Sequence, residues 1–138
     1  MIENKKAKFD YEILDLFESG VKFSGAEVKA IRAGKVNLDQ AYVKIIGQEA
    51  YLVNANISAE NTDNTRSRKL LLHKKQILNL ELKVKSKKLT VIPIKLYNKG
   101  PLFKLEIALA RSRRKHKKRD VLKKRDLDRQ MERELKNY

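Results

Sequence analysis

After Ala110 the chain has almost nothing left to bury, and this limits what the rest can fold into more than any other feature. From residue 111 onward the aliphatic and thioether side chains are Val121, Leu122, Leu127, Met131 and Leu135, spread over twenty-eight residues. Ordering a residue costs roughly 1–2 kcal/mol of conformational entropy, which so thin a supply of buried surface does not offset. The core is therefore expected within residues 1–110, and residues 111–138 form a basic tail, disordered when free. Ten basic side chains, Arg111, Arg113, Arg114, Lys115, Lys117, Lys118, Arg119, Lys123, Lys124 and Arg125, open this tail against the single acid Asp120. From Asp120 to Lys136 there is no Gly or Pro, and Leu127, Met131 and Leu135 recur every fourth residue. That segment can fold as a helix along a charged surface.

The apolar share of 41% suffices for one modest core. With 33 Lys+Arg against 17 Asp+Glu the net charge is +16, so the expected partner is a polyanion, either nucleic acid or an anionic membrane. The membrane is the poorer fit, because the ladder at Leu127, Met131 and Leu135 is too narrow for anchoring and no run approaches the roughly eighteen apolar residues of a span. Met1 to Asp10 is polar and lacks the apolar stretch of a secretory signal. The absence of cysteine excludes disulfides and thiolate zinc sites, and fits an intracellular compartment.

Tyr11 to Phe23 alternates loosely and reads as a bent or interrupted strand with its break at Ser19-Gly20. Ser24 and Glu27 have capping-box spacing, so a helix of about ten residues starts there; Gly34 stops it, and Lys29 and Arg32 share one of its faces. Tyr42–Ile46 and Glu49–Asn54 flank Gly47-Gln48 as a hairpin, and Ser58–Thr65 is a loop. Ile77, Leu80 and Val84, widened by Leu78 and Leu82, mark a second helix over Lys74–Lys85. Leu89–Tyr97 is a strand whose Pro93 implies an edge or a bulge, Asn98–Pro101 a turn, and Leu102–Ala110 the last strand. The order β-α-β-β-α-β-β predicts a mostly β, small antiparallel barrel with two or three helices.

No catalytic constellation is present. His73 and His116 are far apart, and there is neither a Gly-rich phosphate loop nor a nucleophile elbow. Glu18, Glu27 and Asp39 are in principle able to hold Mg²⁺, yet such acids are more often caps and surface charges, and Glu27 already has a capping role. The expectation is a protein without catalysis, cofactor or metal. A ribosomal protein or ribosome-assembly factor with a basic extension threaded between RNA helices has the same composition.

Arg66-Ser67-Arg68-Lys69-Leu70-Leu71-Leu72-His73-Lys74, the stretch from Gly25 to Lys35, and Asn4-Lys5-Lys6-Ala7 with Tyr11 carry a more specific signal. In these residues, with Pro93, Lys95 and Tyr97, the sequence resembles the small protein B family, the SsrA-binding proteins of bacteria. The resemblance implies an oligonucleotide-binding-type barrel that holds the tRNA-like domain of transfer-messenger RNA. It implies delivery of that RNA to stalled ribosomes for trans-translation, with the tail in the vacant messenger channel near the decoding centre of the small subunit. A cytoplasmic monomer acting inside a ribonucleoprotein, positioning RNA and catalysing nothing, follows from the same resemblance.

Glu18 matches the family's RNA-contacting acid; a carboxylate accepts from base amino groups or a ribose 2′-hydroxyl, which a lysine cannot do. Leu71 and His73 match RNA-facing positions, with core packing of Leu71 equally open. Arg66, Arg68, Lys69, Lys5, Lys6, Lys29, Arg32 and Lys35 are expected to meet phosphates, with Asn4 beside them in its motif. Tyr42 either stacks on a nucleotide or packs inward, and on a half-buried strand packing is the better expectation. In the tail, His116 is implied to stack on a decoding-centre base, and Lys118-Arg119 to form a basic pair among the tail's other cations. The chain departs from the family pattern in five places: His73 in place of a frequent Asn, Ser112-Arg113-Arg114 in place of Gly-Lys-Lys, Lys117 in place of Asp, a short 58–65 loop, and Lys88 in place of a frequent Gly.

Overall fold

The computed structural model describes residues 1–112, so the tail expectations from Arg113 onward, His116 included, lie outside the described residues. Six antiparallel strands close on themselves: β8 (Thr90–Lys99), β4 (Tyr42–Ile46), β5 (Glu49–Val53), β7 (Arg68–Leu71), β2 (Tyr11–Val21) and β9 (Leu102–Ser112), with β9 pairing back onto β8. Closure removes the unpaired sheet edge that a small β protein would otherwise expose. The short β1 (Ile2–Glu3) extends β8, and β3 (Val36–Asn37) pairs with β6 (Asn56–Ile57) outside the ring. Three helices complete the body, α1 (Ala7–Asp10), α2 (Gly25–Arg32) and α3 (Lys74–Lys87). The antiparallel barrel with its three helices is as expected from the sequence, α1 being the short one.

Alternation along each strand sends one face inward. Leu52, Leu70, Val91, Leu96, Leu105 and Ile107 meet inside the ring, joined by Ile31 from α2 and by Ile77 and Leu80 from α3. The α2 capping box forms as its spacing requires: Glu27 N–H donates to Ser24 Oγ at 3.2 Å, and Ser24 N–H to Glu27 Oε1 at 2.9 Å. The helix is eight residues long, and Gly34 takes φ +76 beyond it. At the β4–β5 hairpin Gly47 and Gln48 both have positive φ, the two-residue turn whose twist suits antiparallel strands.

Several expectations are corrected. β2 runs unbroken through Ser19-Gly20, and its irregularity lies at Leu14, between Ile13 and Asp15. Ser19 is tolerated in the interior because its hydroxyl donates to Gly20 O at 2.8 Å. In β8, by contrast, the register slips between Pro93 and Lys95, so the proline sits at a bulge, one of the two places its presence in a strand implied. β7 was hidden as a strand because its polarity is crossed: Arg68 and Leu70 point in, Lys69 and Leu71 out. The apolar face of α3 is narrower than its sequence suggests, with Ile77 and Leu80 buried and Leu78 and Leu82 facing solvent. β9 also continues two residues past Ala110, where Arg111 pairs with Tyr11's neighbour Glu12 and its Nη1 lies 3.3 Å from Glu12 Oε1. Arg111 is thus a strand residue and not the first residue of the tail.

Candidate nucleic-acid interface

The outward side chains of four adjacent strands make one continuous face. Glu18 projects from β2, Leu71 and Lys69 from β7, Lys104 from β9, and Tyr97 with Lys99 from the end of β8. Register brings them together around the buried, side-chain-free Gly20, which lies opposite both Lys104 and Leu71, with Tyr97 opposite Lys104.

Glu18 is the centre of this face. Its carboxylate accepts a short hydrogen bond from the Tyr97 hydroxyl, and Lys99 Nζ donates to Oε1 at 3.2 Å. The Tyr97 hydrogen bond, then that of Lys99, holds the Glu18 carboxyl below the usual range. The same bond pushes the Tyr97 phenol up to about 12. Glu18 is therefore an anion with a lone-pair edge open to solvent, a suitable acceptor for an exocyclic amino group or a 2′-hydroxyl. Lys95 Nζ stands 5.6 Å from the centre of the Tyr97 ring, which places one cation over its face.

Leu71 is 56% exposed, so the core-packing alternative is ruled out. It lies across Gly20: a Cβ there would come within 3.1 Å of Leu71 Cβ, so the bare glycine lets the two strands' outer surfaces meet. A cleft of about 230 Å³ opens beside it, lined by Gly20, Phe23, Val28, Leu102 and Phe103. Next along β7, Lys69 Nζ is 3.0 Å from Glu49 Oε1, and Glu49 also accepts from the Tyr51 hydroxyl at 2.7 Å. The Tyr51 bond and then the Lys69 bond lower the Glu49 carboxyl, and Glu49 raises the Tyr51 phenol. His73 is exposed at the start of α3, two residues beyond Leu71, with its N–H donating to Gln76 Oε1 at 3.1 Å.

Arg68 does not belong to this face. It is wholly buried: Nε donates to Glu27 Oε2 at 2.7 Å, Nη1 to Ala55 O at 2.6 Å and Nη2 to Asn64 O at 2.9 Å. The expectation of a phosphate contact is corrected, since the guanidinium is used up beneath the surface. Arg66 is half-exposed, with Nε 3.0 Å from Glu27 Oε2 and Nη2 in a short contact with Oε1. Burial raises the Glu27 carboxyl, but the Arg66, Ser24 and Arg68 hydrogen bonds outweigh it and leave the group below the usual range. Glu27, read from the sequence chiefly as a cap, also joins α2 to β7; the missing clue was its burial.

Asn4 is likewise turned inward, its Nδ2 donating to Pro93 O at 2.9 Å across the β8 bulge, and so is not the exposed contact expected. Tyr42 is 40% exposed, which corrects the inward packing expected of it. With Asn4 and Lys6 it lines a separate depression of about 400 Å³ that also involves Phe9, Tyr11 and Asp39. Lys5, Lys29, Arg32 and Lys35 are exposed. Lys99 and Lys104 were missed as site residues, although the alternation in β8 and β9 marks both as outward. Glu18, Glu27 and Asp39 do not assemble: among the described residues no three His, Cys, Asp or Glu side chains are grouped for a metal ion. Among the same residues no helix is long and apolar enough to cross a membrane.

A closed antiparallel barrel with an acid-centred, lysine-bordered outer face is a nucleic-acid-binding barrel of the oligonucleotide-binding type. The SmpB protein family matches residues 1–137, and the chain belongs to that family. It is 43% identical to an SsrA-binding protein of Mycoplasma mycoides, spanning 100% of this chain and 96% of the relative. It is 48% identical to that of Wolinella succinogenes, over 98% of this chain and 95% of the relative. A solved chain described as "tmRNA-SmpB: a journey to the center of the bacterial ribosome" superposes with a TM-score of 0.69 at 39% identity, covering 81% of this chain and 83% of that one.

Proposed function

We propose that this protein is an RNA-binding adaptor that holds transfer-messenger RNA and delivers it to stalled ribosomes for trans-translation. The observation that carries this reading is the continuous outer face through Glu18, Leu71, Lys69, Tyr97 and Lys104, where an ionised acceptor stands among cations that match phosphates. The relatives named SsrA-binding protein and the solved tmRNA-SmpB chain support the choice of RNA. In this reading Glu18 and Leu71 meet bases or riboses. Lys5, Lys6, Lys29, Arg32, Lys35, Arg66 and Lys69 meet phosphates, and His73 lies at the margin. Residues 113–138 form a second RNA site, with charge and His116 testing an empty messenger channel of the small subunit. The protein positions RNA without catalysing a reaction, and works as a monomer within a cytoplasmic ribonucleoprotein.

Sequencing the RNA that copurifies with the full chain tests the proposal. One small structured RNA, enriched far above ribosomal RNA, is the expected result. Stoichiometric recovery with every ribosomal subunit would instead identify a constitutive ribosomal protein.

A further inference from the structure

The depression of about 400 Å³ beside Tyr42 has a buried acceptor in its wall. Asn4 is pinned by three hydrogen bonds: its N–H donates to Ile94 O at 2.8 Å, its Nδ2 to Pro93 O at 2.9 Å, and its carbonyl accepts from Ala7 N–H at 3.2 Å. The Nδ2 bond fixes which way the side-chain amide points. It leaves Oδ1 buried, with no hydrogen-bond partner among the described residues. Buried acceptors are seldom left unpaired, so this atom calls for a donor from outside the fold.

The rest of the lining says what carries that donor. Tyr42 and Phe9 are 40% and 64% exposed, and both line the same depression. An aromatic ring open to solvent is a stacking platform for a nucleobase. Lys6 lines the depression and exposed Lys5 precedes it, so phosphate is matched on that side. Asp39, half-buried in the lining, repels phosphate and accepts from base N–H groups, which turns the base and not the backbone toward it. About 400 Å³ is room for one nucleotide.

The position is separate from the Glu18 face. Tyr11 and Thr90, which line the depression, open β2 and β8, and both strands pair antiparallel with β9, so they run the same way. Glu18 and Tyr97 each lie seven residues further along, roughly 23 Å away.

We propose that this depression holds one unpaired nucleotide, its base on Tyr42 and Phe9 and its exocyclic amino group donating to Asn4 Oδ1. Adenine and cytosine present such a group; hypoxanthine and uracil place a carbonyl oxygen at the same ring position and leave Asn4 Oδ1 unpaired. The subsite reads a base, whereas the surrounding lysines read only backbone. It rests on the reading of the protein as an RNA binder, and gives it a second contact for unpaired RNA.

5′-AMP and 5′-IMP carry equal charge and differ at this position of the ring, so NMR titration of the full-length protein with each tests the subsite. The expected result is saturable shifts of the Asn4 side-chain amide and of the Tyr42 and Phe9 rings, with 5′-AMP bound about tenfold more tightly. Asn4→Ala should bring the two nucleotides to equal affinity. Equal affinities in the unaltered protein would overturn the proposal, as would shifts confined to the face around Glu18 and Leu71. Shifts that grow linearly with either nucleotide would also overturn it, since they would report only phosphate adsorbing on lysines. Should Asn4→Ala fold poorly, Tyr42→Ala, which removes a surface ring, should weaken 5′-AMP binding about fivefold, and undiminished binding would refute the subsite. The readout here is mononucleotide binding, whereas the adaptor function is judged by the RNA that copurifies, so either can fail without the other.

Discussion

The Glu27 carboxylate lies 2.7 Å from Nε of Arg68, and neither side chain has any exposed surface. This pair fixes α2 to β7, because the same carboxylate also caps α2 through Ser24 N–H and holds Arg66 at the surface. Removing one partner of a buried ion pair strands the other charge and typically costs about 3–5 kcal/mol. Glu27→Ala should therefore lower unfolding stability by that amount in urea titrations. Glu27→Leu combined with Arg68→Met should lose less than the two single changes added together. Additive losses would show that the two groups act independently. The direction of pH dependence follows from the lowered Glu27 carboxyl: its contribution is complete above the ordinary Glu range and is lost as pH falls through the folded value.

Arg68 and Lys69 are neighbours in sequence with opposite duties. Lys69 is 44% exposed in its side chain and pairs with the similarly exposed Glu49, a contact worth little to folding. Lys69→Ala is expected to leave the unfolding midpoint nearly unchanged. It should weaken binding of transfer-messenger RNA and reduce the salt slope of affinity by about one phosphate contact. Arg68→Ala should do the reverse, lowering stability while any protein that remains folded keeps its salt slope. If Arg68→Ala altered the slope with stability intact, the buried assignment would fail.

Glu18 and Tyr97 pair at the surface, Glu18 exposed and Tyr97 half-buried. Their bond requires an ionised carboxylate and a protonated phenol, so it persists from the lowered Glu18 value up to about pH 12, where Tyr97 ionises. Tyr97→Phe removes the largest cause of the Glu18 shift and leaves Lys99 as its remaining hydrogen-bond partner. The Glu18 titration, followed through its side-chain carboxyl carbon by NMR, should then move upward toward the ordinary carboxylate range. An unmoved titration would mean that Lys99 alone sets it.

The sequence disclosed much of this, and each failure has a physical cause. Capping-box spacing, hairpin turn residues and a strand proline are local signals, and the α2 cap, the β4–β5 turn and the β8 bulge all form as those signals require. β7 was hidden because a strand that buries an arginine and exposes a leucine inverts the polarity by which strands are recognised. The same inversion misassigned Arg68 to the phosphate-binding surface, since charge in a sequence carries no information about the partner that makes its burial tolerable. Glu18 and Leu71 lie 53 positions apart and meet only because β2 and β7 pair through Gly20. Resemblance to a family singled them out in the sequence; strand pairing explains why they share a face.

Lys88, which stands where the family often has glycine, ends α3 in the left-handed region at φ 54 and ψ 46. Its N–H and that of Leu89 both reach Val84 O, the latter at 3.2 Å, so the backbone geometry is that of a helix stop built for glycine. A side chain with a β-carbon carries a penalty of about 1–2 kcal/mol in this region, and the greater freedom of glycine in the unfolded chain offsets part of the gain from removing it. Lys88 is exposed and forms the turn into β8, so no packing is lost on replacing it. Lys88→Gly should therefore stabilise the protein by about 0.5–1 kcal/mol, seen as a higher urea midpoint at an unchanged m-value. A midpoint that stayed level or fell would show that the left-handed turn is held without strain.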